Sequence, residues 1–272
     1  MEIKSIHSLS LFFFKNLLSF DKLYHAISQR DGGISKAPYS SLNLGLNTGD
    51  TQENIYSNHV ALSKAMQFDL PTLVSSHQVH GSNIIIADRN FSRQTPSRLV
   101  YTFYGYDALL TDRPGITLII RVADCVPVIL FDPKKNVLAL IHAGWKGTME
   151  GITAKTIRKM TSGYGSSAGD IRAGIGPSIG KCCFSVQNNV AGQFAAKVSG
   201  PESFMTKESD GVHIDLWEAN RQQLISQGCP GENIEIAEIC TSCNSHLFFS
   251  HRREKGKTGR FALVAGLRAS EA

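Results

Sequence analysis

Residues 117–147 carry the densest apolar stretch of the chain and set its plan. Segments 126–131 and 137–141 are rich in Val, Ile and Leu, the composition of buried strands. Between them lies Asp-Pro-Lys-Lys-Asn, a run of turn formers: Pro presets one dihedral, and Asp and Asn tolerate tight conformations. The pattern predicts a β-hairpin centred near Lys134. Folding the chain back there sets Cys125 opposite His142, and facing residues on antiparallel strands have Cβ atoms roughly 4.5–5.5 Å apart. A thiol and an imidazole then meet at the open end of a rigid hairpin, either as a metal corner or as a nucleophile with its base.

The remaining pattern surrounds this hairpin with both kinds of element. Residues 9–20 (LSLFFFKNLLSF) are apolar and read as an N-terminal element, within residues 1–21, packed on the core. Residues 22–28, 72–75, 84–87, 117–123, 171–175, 234–239 and 261–267 read as strands. Helical spacing follows Asp50-Thr51 through residue 68, a segment after Gly144 ending near Met160, and residues 186–198 behind a Ser185 cap. A last helix starts at Asp215 and closes at Gly228. No repeat, low-complexity tract or linker interrupts the chain, so residues 1–272 are expected to form one domain. Strands and helices alternate irregularly around a hairpin, which favours a mixed α+β fold over a doubly wound parallel sheet.

Composition narrows the function classes. The chain is 42% apolar and 19% charged with a net charge of +5, an ordinary balance that falls short of a nucleic-acid footprint. The segment 9–20 holds Lys15 at its centre and is too short to span a bilayer, so no membrane partner is expected. Six cysteines (Cys125, Cys182, Cys183, Cys229, Cys240 and Cys243) form no even disulfide framework and read as free thiols of a reducing, cytoplasmic compartment.

Three constellations could carry chemistry. His80, in HQVHG, adds a third donor to Cys125 and His142, and three such ligands leave zinc a fourth position for substrate. The metal-free alternatives are a Cys125 nucleophile with His142 as base, or simply a buried thiol beside a buried imidazole. Cys240-Thr241-Ser242-Cys243 is a CxxC, but a structural zinc needs four ligands and the adjacent Cys182-Cys183 makes a poor second pair. The basic run Arg252, Arg253, Lys255, Lys257 and Arg260 suits phosphate, though solvated surface runs look the same.

Eight ordered blocks turn this reading into a resemblance: LNLGLNTGD, HQVHG, YDALLTD, ADCVPV, HAGWKG, GIGPSIGKCCF, DLWEANRQQL and CTSCNSHLFFSHRR followed by TGR. From about Tyr24 to Leu267 the chain resembles the laccase-domain family, also called polyphenol oxidase or multicopper oxidase-like and better described as a purine nucleoside phosphorylase family. The resemblance implies a single α+β domain with mixed sheets layered between helices as an α/β/β/α sandwich. It implies a zinc site at His80, Cys125 and His142, with His77 outside it. It also implies phosphorolysis of adenosine, inosine, guanosine and methylthioadenosine to free base and ribose-1-phosphate, together with adenosine deamination.

On that reading Cys125 and His142 belong to the catalytic centre and Asp124 is the candidate proton shuttle or orienter. Arg30, Asn43, Lys146 and Arg252 are candidates for binding phosphate or ribose. The older family name implies a different enzyme, a copper-dependent polyphenol oxidase, and the family's kinship in shape to Cys/His deamidases implies a metal-free hydrolase. Two positions depart from the family pattern: His59 stands where many relatives carry Arg, and Ser185 stands where CYEV relatives carry a carboxylate.

Overall fold

The computed structural model describes residues 1–88, 100–198 and 200–269. Its larger sheet has seven strands, numbered here in chain order and given in spatial order: β1 (Glu2–Ile6), β2 (Leu9–Phe13), β3 (Leu23–Ser28), β16 (Phe261–Leu267), β8 (Thr117–Val122), β4 (Leu73–His77) and β6 (Tyr101–Tyr104). A six-stranded sheet runs β15 (Ile234–Ile236), β11 (Arg172–Ile175), β9 (Val126–Asp132), β10 (Val137–Ala143), β7 (Ala108–Thr111) and β5 (Ile84–Ile86). A small third sheet orders β12 (Ser185–Val186), β14 (Gly211–Ile214) and β13 (Met205–Glu208). Both large sheets mix parallel and antiparallel pairs.

The two large sheets pack face to face. One apolar cluster joins Leu118, Ile120 and Leu263 of the larger sheet to Ile129, Phe131, Leu138 and Leu140 of the hairpin. The other face of the hairpin sheet, through Val128, Leu130, Ala139 and Ile141, meets α3 (Ile152–Tyr164) and α5 (Leu216–Ser226). The outer face of the larger sheet, through Ile119, Ala262 and Val264, meets Leu62, Ala65 and Met66 of α1 (Gln52–Met66). Helix, sheet, sheet and helix layers therefore stack in that order, as the resemblance implies. Strands covered on both faces have no reason to alternate, which is why 117–122 and 126–132 read as continuous apolar runs.

Local chemistry explains most boundaries. The Thr51 side chain accepts from the Asn54 amide at the start of α1, and Asp215 does the same for Glu218 at the start of α5. Residues 9–20, expected as an N-terminal element packed on the core, are strand β2, paired to β1 as a hairpin, and a single 3-10 turn, with Leu9, Leu11, Phe12, Phe14 and Leu17 buried. Elsewhere the pattern misleads. The helix expected from Gly144 to Met160 is two, α2 (Trp145–Met149) and α3, because Gly151 between them takes φ 75°. Ser185 caps no helix: it lies in β12, and α4 (Asn188–Lys197) starts after Gln187. The strand expected at 234–239 stops at Ile236, before Glu238 at φ 54°.

The register of the central hairpin also differs from the expectation. His142 pairs with Pro127 and Ala143 with Val126, so Cys125 lies two residues short of Pro127, which takes the place expected for it opposite His142. The offset between the two alignments is two residues. An even offset keeps every side chain on its face, whereas a single slip would have reversed them all. Cys125 and His142 remain diagonal neighbours on the face between the two sheets.

Candidate metal centre

His80, Cys125 and His142 converge, with their donor atoms all within 4.8 Å of one another. Three separate elements deliver them. Cys125 sits just before β9, behind Asp124 at φ 85°, His142 is near the end of β10, and His80 follows β4 in a turn at φ 60°. The two imidazoles meet edge to face with centroids 4.8 Å apart. At Gly144 a Cβ would come within 3.1 Å of the His80 ring and 3.3 Å of the Cys125 sulfur. The missing side chain leaves the space between the three donors open.

Asp107, fully buried just before β7, organises the group. Its Oδ1 receives Nδ1 of His142 at 2.7 Å and the His80 amide at 3.0 Å, while Oδ2 receives the Gly81 amide at 2.8 Å. The His142 amide bonds the Asp107 carbonyl at 2.7 Å. One carboxylate therefore fixes the tautomer of one histidine, leaving its Nε2 lone pair for a ligand, and shapes the turn carrying the other. Burial opposes ionisation of Asp107, but the His142 hydrogen bond and charge with the turn amides hold its carboxyl below the usual range. Sequence reasoning gave this residue no role. The block YDALLTD contains it, but its partners lie 26–35 residues away along the chain.

The same contacts tune the donors. Burial resists a thiolate at Cys125, yet the charge and hydrogen bonds of His142 and His80 prevail and bring its pKa down to about 6. Burial likewise resists an imidazolium at His142, and the Cys125 and Asp107 charges raise it to about 9. Two imidazoles and a ready thiolate around an open centre fit a borderline-soft divalent ion. They equally describe an activated thiol with its base.

A cavity of about 1030 Å³ opens over this group. Its wall carries three guanidinium groups, Arg121, Arg252 and Arg260, and none of them pairs with a carboxylate among the described residues. Arg121 is buried, its pKa lowered to about 9 by desolvation, and its Nε has no partner while its NH2 group donates to His59. His59, the departure from the family pattern, bonds the Ile55 carbonyl through Nδ1, so its Nε2 is the acceptor for Arg121. His77 lines the cavity mouth against Tyr104, outside the three-donor group.

The other residues singled out in the sequence are placed as follows. Asp124 lines the cavity, with Oδ1 accepting from Thr241 at 2.6 Å and Oδ2 from the Arg252 amide at 2.7 Å. Arg252 also donates to the Cys183 carbonyl at 2.9 Å and lies over the Phe184 ring. Asn43 is buried behind the wall, where its amide joins Gly45, Thr48, Asp50 and Arg260. Arg30 lies outside the cavity, its guanidinium bonded to Ser40, Ser245 and Glu254 above the Phe249 ring. Lys146 is exposed beside Trp145 and does not reach the wall. Ser185 is at the edge of the small sheet, its carbonyl 3.4 Å from Arg252.

Residues 24–268 match the multi-copper polyphenol oxidoreductase laccase family. The chain belongs to that family. A similar protein, of Geobacillus stearothermophilus and named purine nucleoside phosphorylase YlmD, is 36% identical over 89% of each chain. Another, from an unknown prokaryotic organism and named adenosine deaminase RL5, is 32% identical over 82% of this chain and 85% of its own. The crystal structure of YlmD from Geobacillus stearothermophilus superposes on this laccase-family fold with a TM-score of 0.89, covering 98% of both chains at 33% identity.

Proposed function

We propose that the protein is a zinc-dependent purine nucleoside phosphorylase that also deaminates adenosine. The observation that carries this reading is the three-donor centre on the wall of a cavity that also presents three guanidinium groups without carboxylate partners. Its volume lies at the top of the roughly 300–1,000 Å³ typical of small-molecule sites, enough for a nucleoside and a phosphate together. His80, Cys125 and His142 would hold the ion, which when bound supplies a Lewis acid with one open position.

The chain's own residues then do the rest. Asp107 accepts from Nδ1 of His142, so the proton that an ion displaces is the one on Nε2 and the donor set is ordered before substrate arrives. Arg121, Arg252 and Arg260 offer planar donors suited to phosphate oxygens, and holding phosphate and nucleoside together supplies much of the rate. Asp124 acts as an orienter rather than a proton shuttle, since both of its oxygens already hold the loops carrying Thr241 and Arg252. Asn43 and Arg30 act behind the wall by fixing loops. Among the phosphate candidates from sequence, Arg252 and Arg260 of the basic run line the cavity.

The relatives named purine nucleoside phosphorylase and adenosine deaminase support the reaction classes. All six cysteines are free thiols, which supports the reducing, cytoplasmic setting expected from the sequence. Metal-quantified protein given inosine and phosphate should release hypoxanthine and ribose-1-phosphate. An absence of both products at one zinc per three-donor centre sinks the proposal. Phenol oxidation by copper-loaded protein, with no phosphorolysis by the zinc form, would put the oxidase reading in its place.

A further inference from the structure

Away from the cavity floor, the fold gathers four more soft donors. Cys182 and Cys183 follow the Gly176–Gly180 loop after β11, and Cys240 and Cys243 follow β15. These pairs are about sixty residues apart along the chain. Their loops are zipped together because β11 and β15 are parallel neighbours and the pairing continues past their ends. Ser178 bridges Cys240, the Ser178 amide bonds the Ile239 carbonyl at 3.2 Å, and the Thr241 amide bonds the Ser178 carbonyl at 3.0 Å. All four sulfur atoms lie within 4.8 Å of one another.

We propose that Cys182, Cys183, Cys240 and Cys243 bind a second zinc ion as a structural tetrathiolate, separate from the centre at His80, Cys125 and His142. Geometry supports this directly. Four sulfurs tetrahedrally placed at about 2.3 Å from zinc are about 3.8 Å from one another. The observed separations are 3.9 Å for Cys182–Cys183, 3.7 Å for Cys182–Cys243 and 3.5 Å for Cys183–Cys243. A disulfide needs sulfurs at about 2.05 Å, so these are free thiols in contact with one another. A polynuclear iron–sulfur cluster would spread its ligands wider than this group allows.

The surroundings fit a site rather than a chance gathering. A Cβ at Gly180 would meet the Cys182 sulfur at 3.3 Å and the Cys240 Cβ at 3.2 Å, so glycine there lets the two loops close. Binding displaces the thiol protons to water and requires no oxidant. The ion would staple the loop that lines the cavity at Ile179 and Phe184 to the loop whose Thr241 holds Asp124. This proposal does not depend on which reaction the other centre runs.

The test uses the full chain, purified under reducing conditions, loaded with excess zinc and desalted. The wild type should hold two zinc ions per chain. A His80→Ala/His142→Ala variant should keep one, with an X-ray absorption shell of four sulfurs at about 2.3 Å. Cys182→Ser/Cys243→Ser should lose that ion and keep the other. If this cysteine variant does not fold, cobalt loading of the histidine variant decides: intense tetrathiolate visible bands with sulfur-to-cobalt charge transfer support the site. A histidine variant that retains no ion, a shell dominated by nitrogen or oxygen, or a disulfide among the four cysteines would each overturn it.

Discussion

The molecule carries two groups of soft donors a short way apart, and they are built on different principles. The centre at His80, Cys125 and His142 is sparse. It has three donors, a buried carboxylate behind them, and a glycine in front that keeps a gap toward the cavity. The four-cysteine group is saturated, with Cys182, Cys183 and Cys243 touching one another and Cys240 buried beside them. An open ligand set suits turnover, because one position stays available to substrate, whereas a closed set suits a staple. The difference teaches where each mutation should register, in chemistry for one group and in stability for the other.

The sharpest way to break that division is to remove one cysteine from each group. Cys125→Ala should lower kcat/KM for phosphorolysis by about 10³-fold, since a Lewis acid supplies several kcal/mol and each 1.4 kcal/mol is tenfold. Its unfolding temperature should change little. Cys243→Ser should do the reverse, lowering Tm by about 2–4 °C for each kcal/mol of stability lost in a chain of this size. Steady-state kinetics and thermal melts on both variants decide it. Equal loss of activity with unchanged melting in both would erase the distinction.

A smaller effect separates holding a ligand from being one. Asp107→Asn keeps the shape but offers an amide where three backbone amides, of Val79, His80 and Gly81, and His142 Nδ1 require acceptors. Losing such an outer partner typically costs about 10–100-fold in metal affinity. Competition with a chromophoric chelator would measure it. Wild-type affinity in the variant would mean that the three donors orient themselves.

The two groups also differ in how far the sequence exposes them. The hairpin is local: its turn chemistry and two apolar runs are contiguous, so pattern alone brings Cys125 and His142 to one face, even with the register two residues out. The four-cysteine group is non-local. Nothing near Cys182 announces that β11 will lie parallel to β15, and parallel neighbours are joined only through distant chain. A cysteine pair in adjacent positions therefore looks like a poor half-site until the fold supplies the other half. Asp107 was hidden for the same reason. Helix starts with side-chain caps, at Thr51 and Asp215, were legible because a cap acts within one turn. Ser185 carries the same chemistry and caps nothing, because pairing to β14 claims it for a sheet.

Buried imidazoles give the finest probe of what the open centre does to its ligands. His142 and His59 are both shielded from water, yet they move in opposite directions. Thiolate and carboxylate neighbours lift His142, while desolvation and the Arg121 charge push His59 down to about 3. A base whose folded pKa is lowered makes the folded state refuse a proton that the unfolded chain accepts below its usual value near 6.5. Stability from this source is therefore present above that pH and is lost as pH falls toward 3. Between pH 7 and pH 5 the loss for His59 should be on the order of 2 kcal/mol. Urea unfolding at both pH values should show His59→Gln with the shallower dependence by about that amount, because glutamine has no proton to take up. Effects shared with His25, also lowered by burial to about 4, cancel between the two proteins. The same pH dependence in variant and wild type would show that His59 takes up its proton at the same pH in the folded and unfolded chain, and with it that neither burial nor Arg121 holds the imidazole neutral at pH 5.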